Sequence, residues 1–108
     1  MTFYRIQDYD PAELLIGEQT SMSYSSGTER AGKSVCRSIE ELAAYFAQTG
    51  VPMDPTTSIL VELEGTYSPD EDEDAHLGAH LVFPTRIISA GPIPDEFFAA
   101  VDAYLDTI

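Results

Sequence analysis

The segment of residues 27–34 matches a motif with a defined chemistry, the binding of phosphate. Its letters, Gly-Thr-Glu-Arg-Ala-Gly-Lys-Ser, fit a phosphate-binding loop, in which backbone amides surround the phosphates, Lys33 reaches the terminal ones and the Ser34 hydroxyl holds Mg²⁺. Such a loop follows a buried apolar strand, whereas residues 20–26 are mostly polar. Ser38 also predicts that the next helix starts later. We therefore expect a glycine-rich surface loop without nucleotide chemistry, followed by a strand over residues 33–36.

Positive charge is concentrated in the same stretch. Arg30, Lys33 and Arg37 are three of the five basic residues, and they come just before a predicted helix start. Cationic side chains beside the free amides of a helix N-terminus bind anions, although the same charges also neutralise an acidic surface locally. The candidate anion or nucleotide site consists of Arg5, Arg30, Lys33, Ser34 and Arg37.

Five consecutive acids, Asp70-Glu71-Asp72-Glu73-Asp74, resemble the opening of a calcium loop. Ala75 stands where that loop needs glycine for its sharp turn, and Leu81 stands where it needs a bidentate glutamate. No designed calcium site is therefore expected. The acids instead make a candidate surface for binding a cationic partner, together with two glutamates on the exposed face of a predicted strand. Its members are Glu62, Glu64, Asp70, Glu71, Asp72, Glu73 and Asp74.

Histidine and cysteine give no further site. His76 and His80 have a spacing that suits a metal on a helix, but Gly78 between them and the apolar run that follows argue against a helix, and no third or fourth ligand is evident. Cys36 lies between Val35 and Arg37 and is expected to be a small buried residue. We predict no metal site and no catalytic residue.

Charge limits the classes of partner. The chain has 108 residues and a net charge of −14; four bases face five acids up to Arg37, and only Arg86 faces fourteen acids after it. Such a chain repels phosphate backbones and anionic lipid and attracts basic protein surfaces, although strong acidity also serves solubility alone. We expect no direct nucleic-acid binding and no membrane association. A single cysteine and the absence of a leader or apolar span predict a cytoplasmic protein.

Alternating side chains predict the strands that position these residues. Residues 2–7 place Phe3 and Arg5 on one face, and residues 58–65 alternate apolar side chains with glutamates. Two shorter apolar runs, 79–83 and 86–90, predict strands separated or bent at a proline. The polar residues 18–32 are expected to form a loop.

Capping residues predict the helices. Asp10 can cap a short helix that Gly17 ends, and Ser38 can cap a second that Gly50 ends. A last helix is predicted over residues 95–106. Its apolar stripe consists of Phe97, Phe98, Val101, Tyr104, Leu105 and Ile108. The order of elements predicts one acidic α+β domain over residues 1–108, with a small mixed or antiparallel sheet covered by two or three helices.

The order of these motifs resembles small ADP-ribosyltransferase-like domains. The resemblance is carried by a first strand Phe3-Tyr4-Arg5, by residues 32–38 leading into a helix, by the strand Ile59 to Leu63, and by residues 80–84. It covers about half the chain. It implies that Arg5 matches the family's Arg or His on the first strand, and that Ser34 matches its Ser or Thr before a helix. His80 stands where the family has its late glutamate. The resemblance further implies that the domain, active or degenerate, binds NAD or another nucleotide through the basic loop.

Two functional hypotheses follow. The first is a non-enzymatic binding or inhibitor protein without a cofactor, whose acidic face docks on a basic protein surface and mimics nucleic acid. The second is the ADP-ribosyltransferase-like domain with NAD as its ligand. The oligomeric state stays open.

Overall fold

The α+β fold predicted from the sequence is confirmed by the computed structural model, which describes residues 1–16, 20–22, 29–50, 54, 56–72 and 74–107. Its strands are β1 (Thr2–Gln7), β2 (Thr20–Met22), β3 (Glu29–Ala31), β4 (Lys33–Val35), β5 (Ile59–Tyr67) and β6 (His80–Pro92). Its helices are α1 (Ile39–Thr49), α2 (Asp95–Leu105) and two short 3₁₀ helices, Pro11–Leu15 and Ala75–Leu77. Within the described residues, no helix is long and apolar enough to cross a membrane.

The main sheet is antiparallel, with the strand order β1-β5-β6-β4. It curls until its two outer strands meet, because Tyr4 and Cys36 exchange backbone hydrogen bonds of 2.8 and 2.9 Å across the gap. This single bridge joins β1 to the residue that follows β4. The curl gives the sheet a concave inner face and an outer face.

The inner face forms the first core. Residues two apart on a strand share a face, so Phe3 on β1 meets Val61 and Leu63 on β5, all of them fully buried. Leu14 of the first 3₁₀ helix also belongs to this core. The strand predicted over residues 2–7 is confirmed, with Phe3 and Arg5 on one face. The strand predicted over residues 58–65 is confirmed as β5, with Val61 and Leu63 buried, although β5 continues to Tyr67.

The outer face carries the two helices. Tyr4, Ile6 and Leu60 pack under α1 and α2, where Leu42 and Phe97 form the centre of the second core. Both ends predicted for α1 are confirmed: the Ser38 hydroxyl accepts from the Glu41 amide at 3.0 Å, and Gly50 ends the helix in the left-handed conformation. The stripe predicted for α2 is wrong at Leu105, the last residue of the helix, which is 45% exposed. Ile108 lies outside the described residues.

Three connecting segments differ from the sequence expectation. The short helix capped by Asp10 is a 3₁₀ helix, with its cap at 2.9 Å from the Ala12 amide. The expected loop at residues 18–32 contains a hairpin, β2 paired with β3, and its tip, residues 23–28, lies outside the described residues. The two apolar runs around Pro84 form one strand, β6. The pairing of β6 with β5 shifts register between Glu62 and Leu63 and again between Glu64 and Gly65. Such irregularities bend a strand and allow β6 to continue through Pro84.

Candidate functional site

The acidic run forms part of the connection between β5 and β6, and it folds back onto the hairpin. Asp70 Oδ2 accepts a hydrogen bond of 2.7 Å from the Ala31 amide at the end of β3. Arg30 donates from Nη1 to the Glu71 carbonyl. Part of the predicted cation-binding surface therefore touches part of the predicted anion-binding loop. One carboxylate and one carbonyl of the run serve to hold the chain in place.

Two further acids face inward. Asp72 is only 9% exposed, and its Oδ1 accepts from the Asp74 amide at 2.8 Å. Asp74 accepts a hydrogen bond of 2.8 Å from the Tyr45 hydroxyl on α1. Burial, followed by this hydrogen bond and the charge of Asp74, raises the pKa of Tyr45. Asp72 and Asp74 thus join the loop to the helix layer, and Glu73 lies outside the described residues.

The same loop borders a cleft of about 340 Å³ at the end of β5 and the start of β6. Three carboxyl-bearing residues, Asp70, Glu71 and Asp72, line it. The rings of Tyr67 and His80 also line it, in edge-to-face contact with centroids 5.8 Å apart. Tyr67 is 48% exposed. The cleft therefore combines negative charge with an accessible aromatic wall.

Glu62 and Glu64 occupy another part of the surface. They alternate with Val61 and Leu63 and so lie on the outer face of the sheet. Glu64 forms an ion pair of 2.7 Å with Arg86 on β6, which lowers the pKa of Glu64. Neither glutamate lines the acidic cleft. The structure thus separates the predicted acidic surface into a cleft and a partly neutralised strand face.

The predicted basic cluster does not assemble at the start of α1. Arg37 reaches Glu41 at 3.9 Å, one helical turn away. Arg30 turns to the acidic loop, and Lys33 donates from Nζ to the Thr20 carbonyl at 2.9 Å. Because Lys33 and Ser34 lie within β4 and α1 begins only at Ile39, the segment does not have the geometry of a phosphate-binding loop.

Arg5 points into the inner face, near the gap between the outer strands. Its guanidinium donates to Gln7 Oε1 at 2.8 Å, to the Ser34 carbonyl at 3.0 Å and to the Tyr9 hydroxyl at 3.2 Å. The bond to Ser34 links β1 to β4 beyond the Tyr4–Cys36 bridge, so Arg5 helps to close the curled sheet. Burial lowers the pKa of its guanidinium.

Among the residues that the ADP-ribosyltransferase-like resemblance assigns, Ser34 lies apart from Arg5. Val35 belongs to the inner core with Phe3, so Ser34, the next residue on the pleated strand, presents its side chain to the opposite face from Arg5. His80 pairs with Val35 and contacts the ring of Tyr67 edge to face. NAD binding by Arg5 and Ser34 stays a prediction that no observation on this chain tests.

Cys36 is buried beneath α1, as the sequence predicted. Burial, together with the charges of Glu41 and Asp72, raises the pKa of its thiol to about 12. Across the part of the chain that the structure describes, no group of three or more histidines, cysteines or acids is arranged to hold a metal.

Tyr67 is the residue of the cleft that sequence reasoning missed. The sequence predicts an acidic loop over residues 66–78, whereas Tyr67 is the last residue of β5. The available signal was an aromatic residue three positions before a run of acids, which combines the two groups that contact a cation.

Comparison with protein-family models, curated proteins and solved structures gave no match to this chain. The chemistry of the acidic cleft and of the charged residues around it is therefore the basis for assigning a function.

Proposed function

We propose that the protein is a non-enzymatic binding protein that docks on a basic protein surface through the acidic cleft. The observation that carries the proposal is the pairing of Asp70, Glu71 and Asp72 with the exposed ring of Tyr67 around one cavity. A guanidinium or ammonium group of a partner gains from carboxylates at its edge and from an aromatic face beside it.

Charge complementarity sets the class of partner. The net charge of −14 attracts basic surfaces at long range, and the cleft offers a place where one basic side chain is held at short range. Proteins that bind nucleic acid present such surfaces, so the carboxylates would take the positions of phosphates. Binding in this manner inhibits the partner by competition with its nucleic acid.

The inward acids restrict which residues can be substituted as a test. Asp72 and Asp74 hold the loop to itself and to Tyr45, so their replacement also disturbs the fold. Glu71 exposes its carboxylate while only its carbonyl meets Arg30, so Glu71→Gln removes charge alone. In Asp70→Asn the amide oxygen can still accept from the Ala31 amide.

The experiment measures binding of a synthetic arginine-rich peptide to wild type, to Glu71→Gln and to Asp70→Asn over a series of salt concentrations. We expect each variant to bind about two- to fivefold more weakly, mainly through slower association, since half-exposed charge pairs contribute about 0.2 to 1 kcal/mol. Tyr67→Leu should reduce affinity for the arginine peptide more than for its lysine counterpart.

Asp102→Asn is the matched control, since Asp102 is an exposed acid on α2, away from the cleft, and its replacement changes the net charge equally. The control should stay within about twofold of wild type, as expected for a charge outside the contact. Equal losses in Asp102→Asn and Glu71→Gln would mean that only the overall charge attracts the peptide, and the cleft would then have no role.

A further inference from the structure

Two of the five basic residues contact no acidic residue among those whose side chains the structure describes. Arg37 and Arg86 form ion pairs with Glu41 and Glu64, and Arg30 donates to the backbone carbonyl of Glu71 in the acidic run. Arg5 and Lys33 donate to an amide, a hydroxyl and two backbone carbonyls, none of which belongs to an acidic residue. Neither has a described carboxylate within ion-pair distance.

The fold also brings these two cations together. Arg5 bonds to the carbonyl of Ser34, the residue next to Lys33 on β4. Lys33 pairs with Val82 of the inner core, so both cationic side chains lie on the inner face of the sheet. Burial, followed by the charge of Arg5, lowers the pKa of Lys33. Folding therefore moves both cations partly out of water and also places two like charges near each other. Each of these two changes costs free energy.

Arg5 and Lys33 both have N–H groups without an acceptor among the described residues. Arg5 uses three of its five N–H groups on acceptors in the described residues, and Lys33 uses one of its three. Tyr9 accepts from Arg5 through its hydroxyl oxygen, so its own proton is available. A guanidinium, an ammonium and a phenol in one place match the oxygens of a tetrahedral oxyanion.

We propose that Arg5 and Lys33, assisted by the Tyr9 hydroxyl, bind a small oxyanion, either inorganic phosphate or the phosphate group of a nucleotide. The anion supplies a negative charge that none of the described side chains places there. This site is distinct from the acidic cleft and lies on the inner face of the curled sheet, beside the join between β1 and β4.

The test is calorimetric titration of the protein with sodium phosphate, sodium chloride being adjusted to hold ionic strength constant. Wild type should bind one phosphate saturably, and its melting temperature should rise with phosphate but not with chloride. Lys33→Met should bind about tenfold more weakly or worse, because a hydrogen bond to a charged group contributes about 1.5 to 3 kcal/mol. Lys33→Arg, which keeps charge and donors, should retain binding.

Two variants guard against indirect effects. Arg37→Met changes the net charge equally but lies on the α1 side, and it should bind phosphate as wild type does. Tyr9→Phe keeps the ring in the inner core and should weaken binding while leaving the fold intact.

Titration with ADP and NAD distinguishes the two sources of the phosphate group. Tighter binding than that of phosphate assigns a nucleotide, and equal binding assigns the free ion. The proposal is overturned if phosphate acts no differently from chloride, or if Arg37→Met loses as much affinity as Lys33→Met.

Discussion

Replacement of Phe97 by alanine should be the most costly change in the helix layer. Phe97 is fully buried, and its ring meets Phe46 and Phe98 edge to face at centroid distances of 5.8 and 6.0 Å. A buried Phe→Ala change costs about 3 to 5 kcal/mol, of which each aromatic pair accounts for about 0.5 to 1.5 kcal/mol. A domain of this size is stable by only about 5 to 15 kcal/mol in total. Phe97→Ala should therefore remove about a fifth of the stability or more.

Leu105→Ala is the contrasting variant on the same helix. Leu105 is 45% exposed although the periodicity of α2 places it in the apolar stripe. Its truncation should cost less than about 1 kcal/mol, since full burial of a leucine contributes only about 1.5 to 3 kcal/mol. Phe97→Leu should be intermediate, at about 1 to 2 kcal/mol, because it loses the ring contacts and keeps most of the apolar volume.

Urea unfolding followed by far-ultraviolet circular dichroism measures these differences, since the chain has no tryptophan to report on unfolding. At about 4 to 8 °C for each kcal/mol, Phe97→Ala should also lower the melting temperature by about 12 to 40 °C. The packing of α2 on α1 would be refuted if Leu105→Ala cost as much as Phe97→Ala, or if Phe97→Ala cost less than about 1 kcal/mol.

Two further predictions concern the sheet and the thiol beneath α1. Gly32→Ala should destabilise the protein by more than about 1 kcal/mol, because Gly32 has φ of +103° and a Cβ there would lie 3.0 Å from the Val82 carbonyl oxygen. Gly91→Ala is the control, since a Cβ at Gly91 meets nothing within 4 Å and the change should be near neutral. Equal urea midpoints for the two variants would contradict this prediction. Because the pKa of Cys36 rises from 9.0 to about 12 on folding, the stability from its neutral thiol is complete below about pH 9 and is lost as the pH rises toward 12. Cys36→Ala should flatten that part of the stability–pH curve, and native Cys36 should resist a thiol-specific reagent at pH 8; rapid labelling of the folded protein would disprove its burial.

Local patterns were enough to predict the elements. The Ser38 cap and Gly50 marked both ends of α1, because these signals depend on the chain within one helical turn. Alternation sorted the side chains of β1 and β5 between the two faces of the sheet and placed Val61 and Leu63 opposite Glu62 and Glu64, because the pleat reverses at every residue whatever the strand pairs with. Leu105 could not be placed in this way, since periodicity gives the direction of a side chain and not the extent of the surface that covers it.

The same distinction applies to the charged residues. Net charge does not depend on the fold, so composition alone shows that the protein is strongly acidic, and it predicts that phosphate backbones are unfavourable partners. The tertiary structure sets which charges are available: it buries Asp72, engages Asp74 with Tyr45, and leaves Glu71 exposed beside Tyr67. It also brought Arg5 and Lys33 to one face, although 28 positions separate them in the sequence. Charges interact through space, and a curled sheet closed by the Tyr4–Cys36 bridge sets distances that spacing along the chain does not contain.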